Sequence, residues 1–317
     1  MKICFVTNSL TKKDDLTTYD LAVAALARKH EVYFLSVMDF FSENNNIFGN
    51  LRKVNKKVEK RGELAEIISK TSTEKKNLRG IDLIFLRHKY KSGSKIIENY
   101  HKLAREYAVH LLEEGIKVIN DPRYLHFMSS KIATHGIDSS ILPKKQLVSN
   151  NIGQLLDYCK NELNFEGVIK PMFGSGGEGI FFIDRKNLRN NLKTNLEKGP
   201  VIMQSYIPNE GDKRIIVLGG NPVAWYMRVA AEGELLNNIH AGGSPVKCDL
   251  SERDKLIVSK LKPKLVKYGM HLVGVDTLGG YLSEINTENP GGTVRADMLG
   301  NFYSRNKIIE YIEALIK

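Results

Sequence analysis

The chain has 317 residues, 42% of them hydrophobic and 26% charged, and a formal net charge of +11. That length predicts a sizeable core split over two to three domains, and no apolar run approaches the ~20 residues that cross a bilayer, so no membrane partner is expected. The positive balance invites a polyanion, but its densest stretch, Arg52-Lys53, Lys56-Lys57 and Lys60-Arg61, has no interleaved aromatic residue. It is read as a solvated face, with no nucleic acid partner, and part of the excess suits an anionic nucleotide and an acidic substrate.

In chain order, the start Met1-Lys-Ile-Cys-Phe-Val-Thr reads as a first β-strand and not a signal peptide. Residues 2–6, 31–37, 81–86 and 117–120 are β-branched and aromatic enough for strands, and 17–29 and 95–114 read as helices, the second stopped by Gly115. Strands alternating with helices give a parallel sheet with helices on its faces. Residues 41–76, full of Asn, Lys and Glu, are expected to be a long loop with one helix near 64–69. A small helical and mixed unit follows over 121–166. The C-terminal part returns to strands, with a helix over 252–268 that Ser251 caps, Gly269 ends and Pro263 kinks, and a terminal amphipathic helix over 308–316. Cys4, Cys159 and Cys248 are odd in number and widely spaced, which predicts neither disulfides nor a zinc site and fits a reducing cytoplasm.

Two motifs carry chemistry. In the first, Leu272-Val-Gly-Val-Asp276 and Tyr281-Leu-Ser-Glu284-Ile-Asn286 flank Gly279-Gly280, which predicts an antiparallel hairpin with a tight glycine turn. Glu284 and Asn286 fall on one face and Asp276 reaches it from the neighbouring strand. Two carboxylates and an amide oxygen form the hard, all-oxygen set that Mg²⁺ takes when phosphates complete its shell. In the second, Val168-Ile-Lys170-Pro-Met-Phe-Gly174-Ser175-Gly176-Gly177-Glu-Gly179 reads as strand, loop, strand. Its glycines let backbone N–H groups approach an anion, and Lys170 adds a point charge. No Gly-Lys-Ser/Thr and no helix follow, so it is neither a Walker loop nor a dinucleotide fingerprint. Between the two motifs, Val201-Ile-Met-Gln204-Ser205-Tyr206-Ile207-Pro208 is a strand ending in polar residues. Residues 211–228 then form a hairpin whose Lys213, Arg214 and Arg228 are candidates to meet phosphates or a substrate carboxylate.

The order of these motifs resembles the ATP-grasp superfamily and, within it, the bacterial glutathione synthetases. The resemblance is clearest from Asn120 to Ala296 and rests on Ile169-Lys170-Pro-Met-Phe-Gly-Ser-Gly-Gly, Gln204-Ser-Tyr-Ile-Pro, Gly211-Asp-Lys-Arg214, Ala241-Gly-Gly243, Val273-Gly-Val-Asp276 and Ser283-Glu-Ile-Asn286. It implies an N-terminal parallel α/β (pre-ATP-grasp) domain over 1–122, then an ATP-grasp fold of two α+β subdomains, the smaller over 123–200 and the C-terminal over 201–317. It also implies residue roles. Lys131 and Lys170 reach the nucleotide, and Gly174, Ser175, Gly176 and Gly177 belong to the loop that closes over the phosphates. Gln204, Ser205, Tyr206 and Ile207 read the adenine edge, Asp212 lies near the ribose, and Asn238 joins the nucleotide-binding set. Arg214 and Arg228 contact phosphate and acyl phosphate, with Lys213 beside them. Asp276, Glu284 and Asn286 hold Mg²⁺, as two ions or with Mn²⁺ in their place, and Asn289, Pro290, Gly291 and Gly292 receive the amine.

The implied chemistry is amide formation through an acyl phosphate, with γ-glutamylcysteine and glycine as substrates, by a cytoplasmic homo-oligomer, dimer or tetramer. No side-chain nucleophile is needed, and a lid, for which 174–179 and 233–243 are the candidates, must exclude water. Two departures fall on the acyl-donor side. The family carries Asp-Pro-Pro where this chain has His88-Lys89-Tyr90-Lys91-Ser92, and Arg-Gly-Asn where it has Leu236-Asn237-Asn238. They keep open a sister ligase of the same architecture acting on another amino acid, peptide or protein carboxylate.

Overall fold

The computed structural model describes residues 1–8, 16–56, 58–88, 94–172, 177–232, 237 and 242–316. Its strands are β1 Lys2–Thr7, β2 Glu31–Ser36, β3 Phe40–Glu43, β4 Asn46–Lys53, β5 Glu74–Asn77, β6 Leu83–Leu86, β7 Lys117–Ile119, β8 Gln146–Ser149, β9 Gly167–Pro171, β10 Phe181–Phe182, β11 Val201–Ser205, β12 Asp212–Leu218, β13 Asn221–Val229, β14 Ser244–Val246, β15 Leu272–Leu278 and β16 Tyr281–Asn286. Its helices are α1 Leu16–Ala27, α2 Arg61–Lys70, α3 Lys95–Glu113, α4 Leu125–Ser129, α5 Ile152–Asn161, α6 Leu188–Leu196, α7 Glu252–Lys267, α8 Thr293–Gly300 and α9 Ser304–Ile316.

The strands form three sheets. In the first, β2, β1, β6 and β7 run parallel. β1 and β2 are apolar and buried on both faces, as a parallel sheet covered by helices requires. The chain passes from β2 on one side of β1 to β6 on the other. The carboxyl ends of β1 and β6 therefore border the crevice where such sheets take ligands. The segment expected to be a loop over 41–76 is instead an antiparallel extension of this sheet, β3-β4-β5, carrying α2. Asn44 and Asn45 both sit at positive φ (47° and 61°) and make the two-residue turn that pairs Glu43 with Asn46. The polar composition hid a hairpin whose Phe41 and Phe48 rings stack at 5.6 Å. The helix expected there is present as α2.

The second sheet is antiparallel, in the order β10-β9-β11-β8, and its apolar side packs on α5 and α6 in a core of its own around Leu155, Ile169, Leu192 and Met203. The third, β14-β13-β12-β15-β16, is antiparallel throughout. Its core is continuous with that of the first sheet: one buried cluster runs from Val6 and Leu86 to Ile215 and Leu265, another from Phe5 and Phe34 to Ile216 and Ile309. The first and third sheets thus form one body, with the second as a satellite. Ser251 caps α7 in a reciprocal box with Asp254, and α7 runs on through Pro263 to Lys267. Among the described residues no helix is long and apolar enough to cross a membrane.

Candidate active site

The site lies where the second sheet faces the third. Both hairpins of the third sheet turn on glycine pairs, Gly219-Gly220 at φ 56° and 79° and Gly279-Gly280 at 53° and 81°. Those angles belong to the hairpin turn that non-glycine residues adopt only with strain. Each hairpin then carries a bulge. In the first, Ile216 pairs with Ala224 but Val217 with Pro222; in the second, Asp276 pairs with Glu284 but Thr277 with Leu282. The extra residues, Val223 and Ser283, shift everything beyond them by one position and so exchange the faces of the second strand. As a result Arg228 stands opposite Asp212, and Glu284 opposite Asp276.

One sheet face therefore gathers Asp212, Arg214, Arg228, Asp276, Glu284 and Asn286. Arg214 donates through Nε to Asp276 Oδ1 at 2.6 Å and through Nη2 to Oδ2 at 3.0 Å. Arg228 grips both Asp212 oxygens, Nε to Oδ1 at 2.8 Å, and its Nη2 lies 3.1 Å from Asp276 Oδ2. Asn286 donates its Nδ2 to the same Oδ2 at 3.2 Å. Gly274 makes this possible, since a Cβ there would meet Arg214 Nη1 at 2.6 Å. Burial pushes the Asp276 carboxyl up, and the Arg214 and Arg228 charges outweigh it and hold it below the ordinary value. For Asp212 burial prevails over Arg228 and the carboxyl lies above its ordinary value. Burial works against the Arg228 charge, and the Asp276 and Asp212 carboxylates overcome it.

The opposite wall supplies cations without carboxylate partners of this kind. Lys170, on β9, is desolvated and next to Lys131, which together bring its pKa down to about 8 while Glu284 and Asp212 pull the other way. Lys131 donates to the Pro171 carbonyl at 3.0 Å, and burial lowers its pKa against the pull of Glu284. The two lysines thus feel the acidic residues of the facing sheet. Between the walls is a cleft lined by Lys170, Gln204, Tyr206, Ile207 and Asp212.

Most of the residues expected in the site are brought together, with one correction. Lys213 faces the other side of the sheet, because neighbours along a strand alternate. It donates to Asp254 at 2.6 Å and to the Asp249 carbonyl at 3.1 Å, and so belongs to the α7 cap. Ser205 is held by its backbone, its N–H on the Lys145 carbonyl, and does not line the cleft. Gly177 sits at φ 87°; Gly174, Ser175, Gly176, Asn238 and most of 233–243 lie outside the described residues. The loop of Asn289, Pro290, Gly291 and Gly292 follows β16 directly. Arg87 Nη2 donates to the Pro290 carbonyl at 3.1 Å and Arg214 Nη1 to that of Gly291 at 3.4 Å. Gly292 caps α8 at φ 109°, against the Tyr226 hydroxyl. Sequence reading missed Phe182, Leu278 and Asn209 in the cleft lining, and named Asn237 only as a departure on the acyl-donor side. Asn237 donates to Asn209 at 2.8 Å and accepts from the Ala230 N–H. Alternation along β9 to β11 would have found Phe182, which pairs with Val168 as Val168 pairs with Gln204.

The donor set suits a divalent cation. Asp276 and Glu284 face each other across the hairpin, Asn286 adjoins them, and every available ligand atom is oxygen. Cationic cleft and acidic sheet face together define an ATP-grasp ligase. The whole chain shares the fold of an ATP-grasp ligase, PsnB, complexed with its minimal precursor: the two superpose with a TM-score of 0.68 over 100% of both chains at 15% identity. Residues 1–126 match the prokaryotic glutathione synthetase N-terminal domain and 130–300 the prokaryotic glutathione synthetase ATP-grasp domain. The glutathione synthetase of Coxiella burnetii is 30% identical over 90% of this chain and 87% of its own. That of Synechococcus elongatus is 27% identical over 100% and 99%. The chain belongs to the prokaryotic glutathione synthetase family. It is an ADP-forming ligase of glutathione biosynthesis that uses ATP and a divalent metal and acts on small molecules.

Proposed function

We propose that this protein joins γ-glutamylcysteine to glycine with the residues of the cleft in the following roles. Lys131 and Lys170 bind the phosphates nearer the nucleoside, while Gln204, Tyr206 and Ile207 take the adenine and Asp212 the ribose side. Arg214 and Arg228 orient the γ-phosphoryl group and the carboxylate that attacks it. The carboxylate oxygen forms a bond to phosphorus, the bond to the ADP oxygen breaks, and the charge spreading over the phosphoryl oxygens is met by the guanidinium groups. The amine, held by the 289–292 loop, then attacks the acyl carbon, phosphate leaves, and the amine's proton passes to solvent. Asp276, Glu284 and Asn286 would hold Mg²⁺, two ions or Mn²⁺ in their place, which supplies neutralisation of phosphate charge when bound.

One observation carries this reading: an all-oxygen sheet face with two arginines already laid on it stands opposite two desolvated lysines. The three units 1–122, 123–200 and 201–317, a cytoplasmic location and a homo-oligomer belong to the same proposal. The test is phosphate release from Mg-ATP with γ-glutamylcysteine and glycine, with product mass as readout. Glutathione is the expected product; a different amide, from another carboxylate in a donor panel, transfers the reading to a sister ligase.

A further inference from the structure

A second polar cluster lies at the carboxyl end of β6, beside the switch point of the first sheet, and shares only Asn289 with the roles given above. His88 follows β6 and is 5% exposed, its ring 5.2 Å from that of His101 on α3. Arg105, one turn further along α3, pairs through Nη2 with Glu288 at 3.2 Å. Glu288 belongs to the loop that leaves β16 immediately after Asn286. Four atoms here are buried with no hydrogen-bond partner among the described residues: His88 Nδ1, Arg105 Nε, Thr287 Oγ1 and Asn289 Oδ1. Unmade buried polar groups cost free energy and are few in native proteins. Burial, then His101 and Arg105, bring the His88 pKa down to about 3, so its ring is neutral and offers one donor and one acceptor.

The unmade groups are complementary in kind. Arg105 Nε–H is a donor on a positively charged group, and Asn289 Oδ1 is an acceptor on the residue that follows Glu288 in the chain. That is the pattern an α-carboxylate and an α-ammonium on one carbon require. The spacing agrees as well. Glu288 is two residues past Asn286, so at most about 7 Å separates them along the chain. A γ-glutamyl dipeptide spans a similar two residue lengths from its reacting carboxylate to its free amino-acid end.

We propose that Arg105, Glu288, His88 and Asn289 form the subsite that reads the free amino-acid end of the acyl donor, carboxylate toward Arg105 and His88, ammonium toward Glu288 and Asn289. This rests on the ligase reading above. It places donor recognition where the sequence departs from its family.

The test is steady-state kinetics of the full chain with saturating Mg-ATP and glycine on three donors. These are γ-glutamylcysteine, glutarylcysteine, which lacks the ammonium, and 4-aminobutyrylcysteine, which lacks the α-carboxylate. Arg105→Gln is expected to raise KM roughly 10- to 100-fold for the two donors that keep the carboxylate, and to leave 4-aminobutyrylcysteine at its wild-type value. Glu288→Gln is expected to do the same for the two that keep the ammonium, sparing glutarylcysteine. An unaltered KM for ATP reports an intact fold. Equal increases on all three donors would make the cluster a docking seam and overturn the proposal. If a variant fails to fold, the wild type decides: both analogues should bind at least about tenfold worse than γ-glutamylcysteine, and equal KM values overturn the subsite. A wild type that ignores γ-glutamylcysteine but uses another donor defeats the glutathione reading alone, provided that donor carries an amino-acid end to which the two variants respond. A donor without such an end, or inertness on the whole panel, overturns the subsite too.

Discussion

The two walls of the cleft manage charge in opposite ways. On the third sheet every cation is matched within the protein: Arg214 and Arg228 lie on Asp276 and Asp212 at 2.6 to 3.1 Å. On the second wall Lys170 and Lys131 are both desolvated, and the Lys131 charge lowers the Lys170 pKa further. The first wall is satisfied before any ligand arrives and holds its arginines aligned. The second is under electrostatic tension that an anion relieves. Removing a residue from the first wall should damage stability and chemistry together, whereas removing one from the second should damage binding alone.

Asp276→Asn tests the first half and should have the largest effect. It removes a metal ligand and leaves two buried guanidiniums short of a partner. Phosphate release should fall on the order of 10³-fold or more, and a denaturant titration should show a loss of about 3–5 kcal/mol. Retained stability would mean that the ion-pair network is not what organises this face.

Lys170→Met tests the second half. ATP affinity, read by calorimetry, should weaken roughly 10- to 100-fold, while the melting temperature holds or rises because a half-buried, partly desolvated charge has gone. Destabilisation like that of Asp276→Asn would erase the contrast between the walls.

A smaller effect follows from pH. Lys170 loses its proton near 8 in the ligand-free protein, and bound phosphate favours the protonated form. ATP affinity should be level below that pH and fall above it, approaching tenfold per unit, with proton uptake on binding visible as a buffer-dependent heat. Lys170→Met should flatten the profile.

Lys213→Gln should matter least to catalysis. It breaks the contact to Asp254 in the α7 cap, so a loss of about 1–2 kcal/mol with an unaltered KM for ATP is expected. A large rise in that KM would return Lys213 to the site.

Legibility followed the range of the interactions. Glycine pairs, apolar strands and the N-cap of α7 are local, and the sequence showed them. The Asn44-Asn45 turn was equally local but was lost in a polar stretch, and with it the sheet extension over β3 to β5. Lys213 was misplaced by reading a cluster of charges without its period of two.

The sequence by itself determined the fold class, the order of motifs and the residue types that could hold phosphate and metal, because patterning and turn chemistry act between near neighbours. It could not determine which of those residues meet. A two-residue turn at Gly279-Gly280 without a bulge would pair Asp276 with Ser283 and send Glu284 to the opposite face. The same count at Gly219-Gly220 would turn Arg228 away from Asp212. The extra residues at Ser283 and Val223 reverse both outcomes, and they are set by how β12, β13, β15 and β16 pack against one another. The side-chain period along a strand is two, so one residue of register decides whether this face is an active site or a helix-covered core.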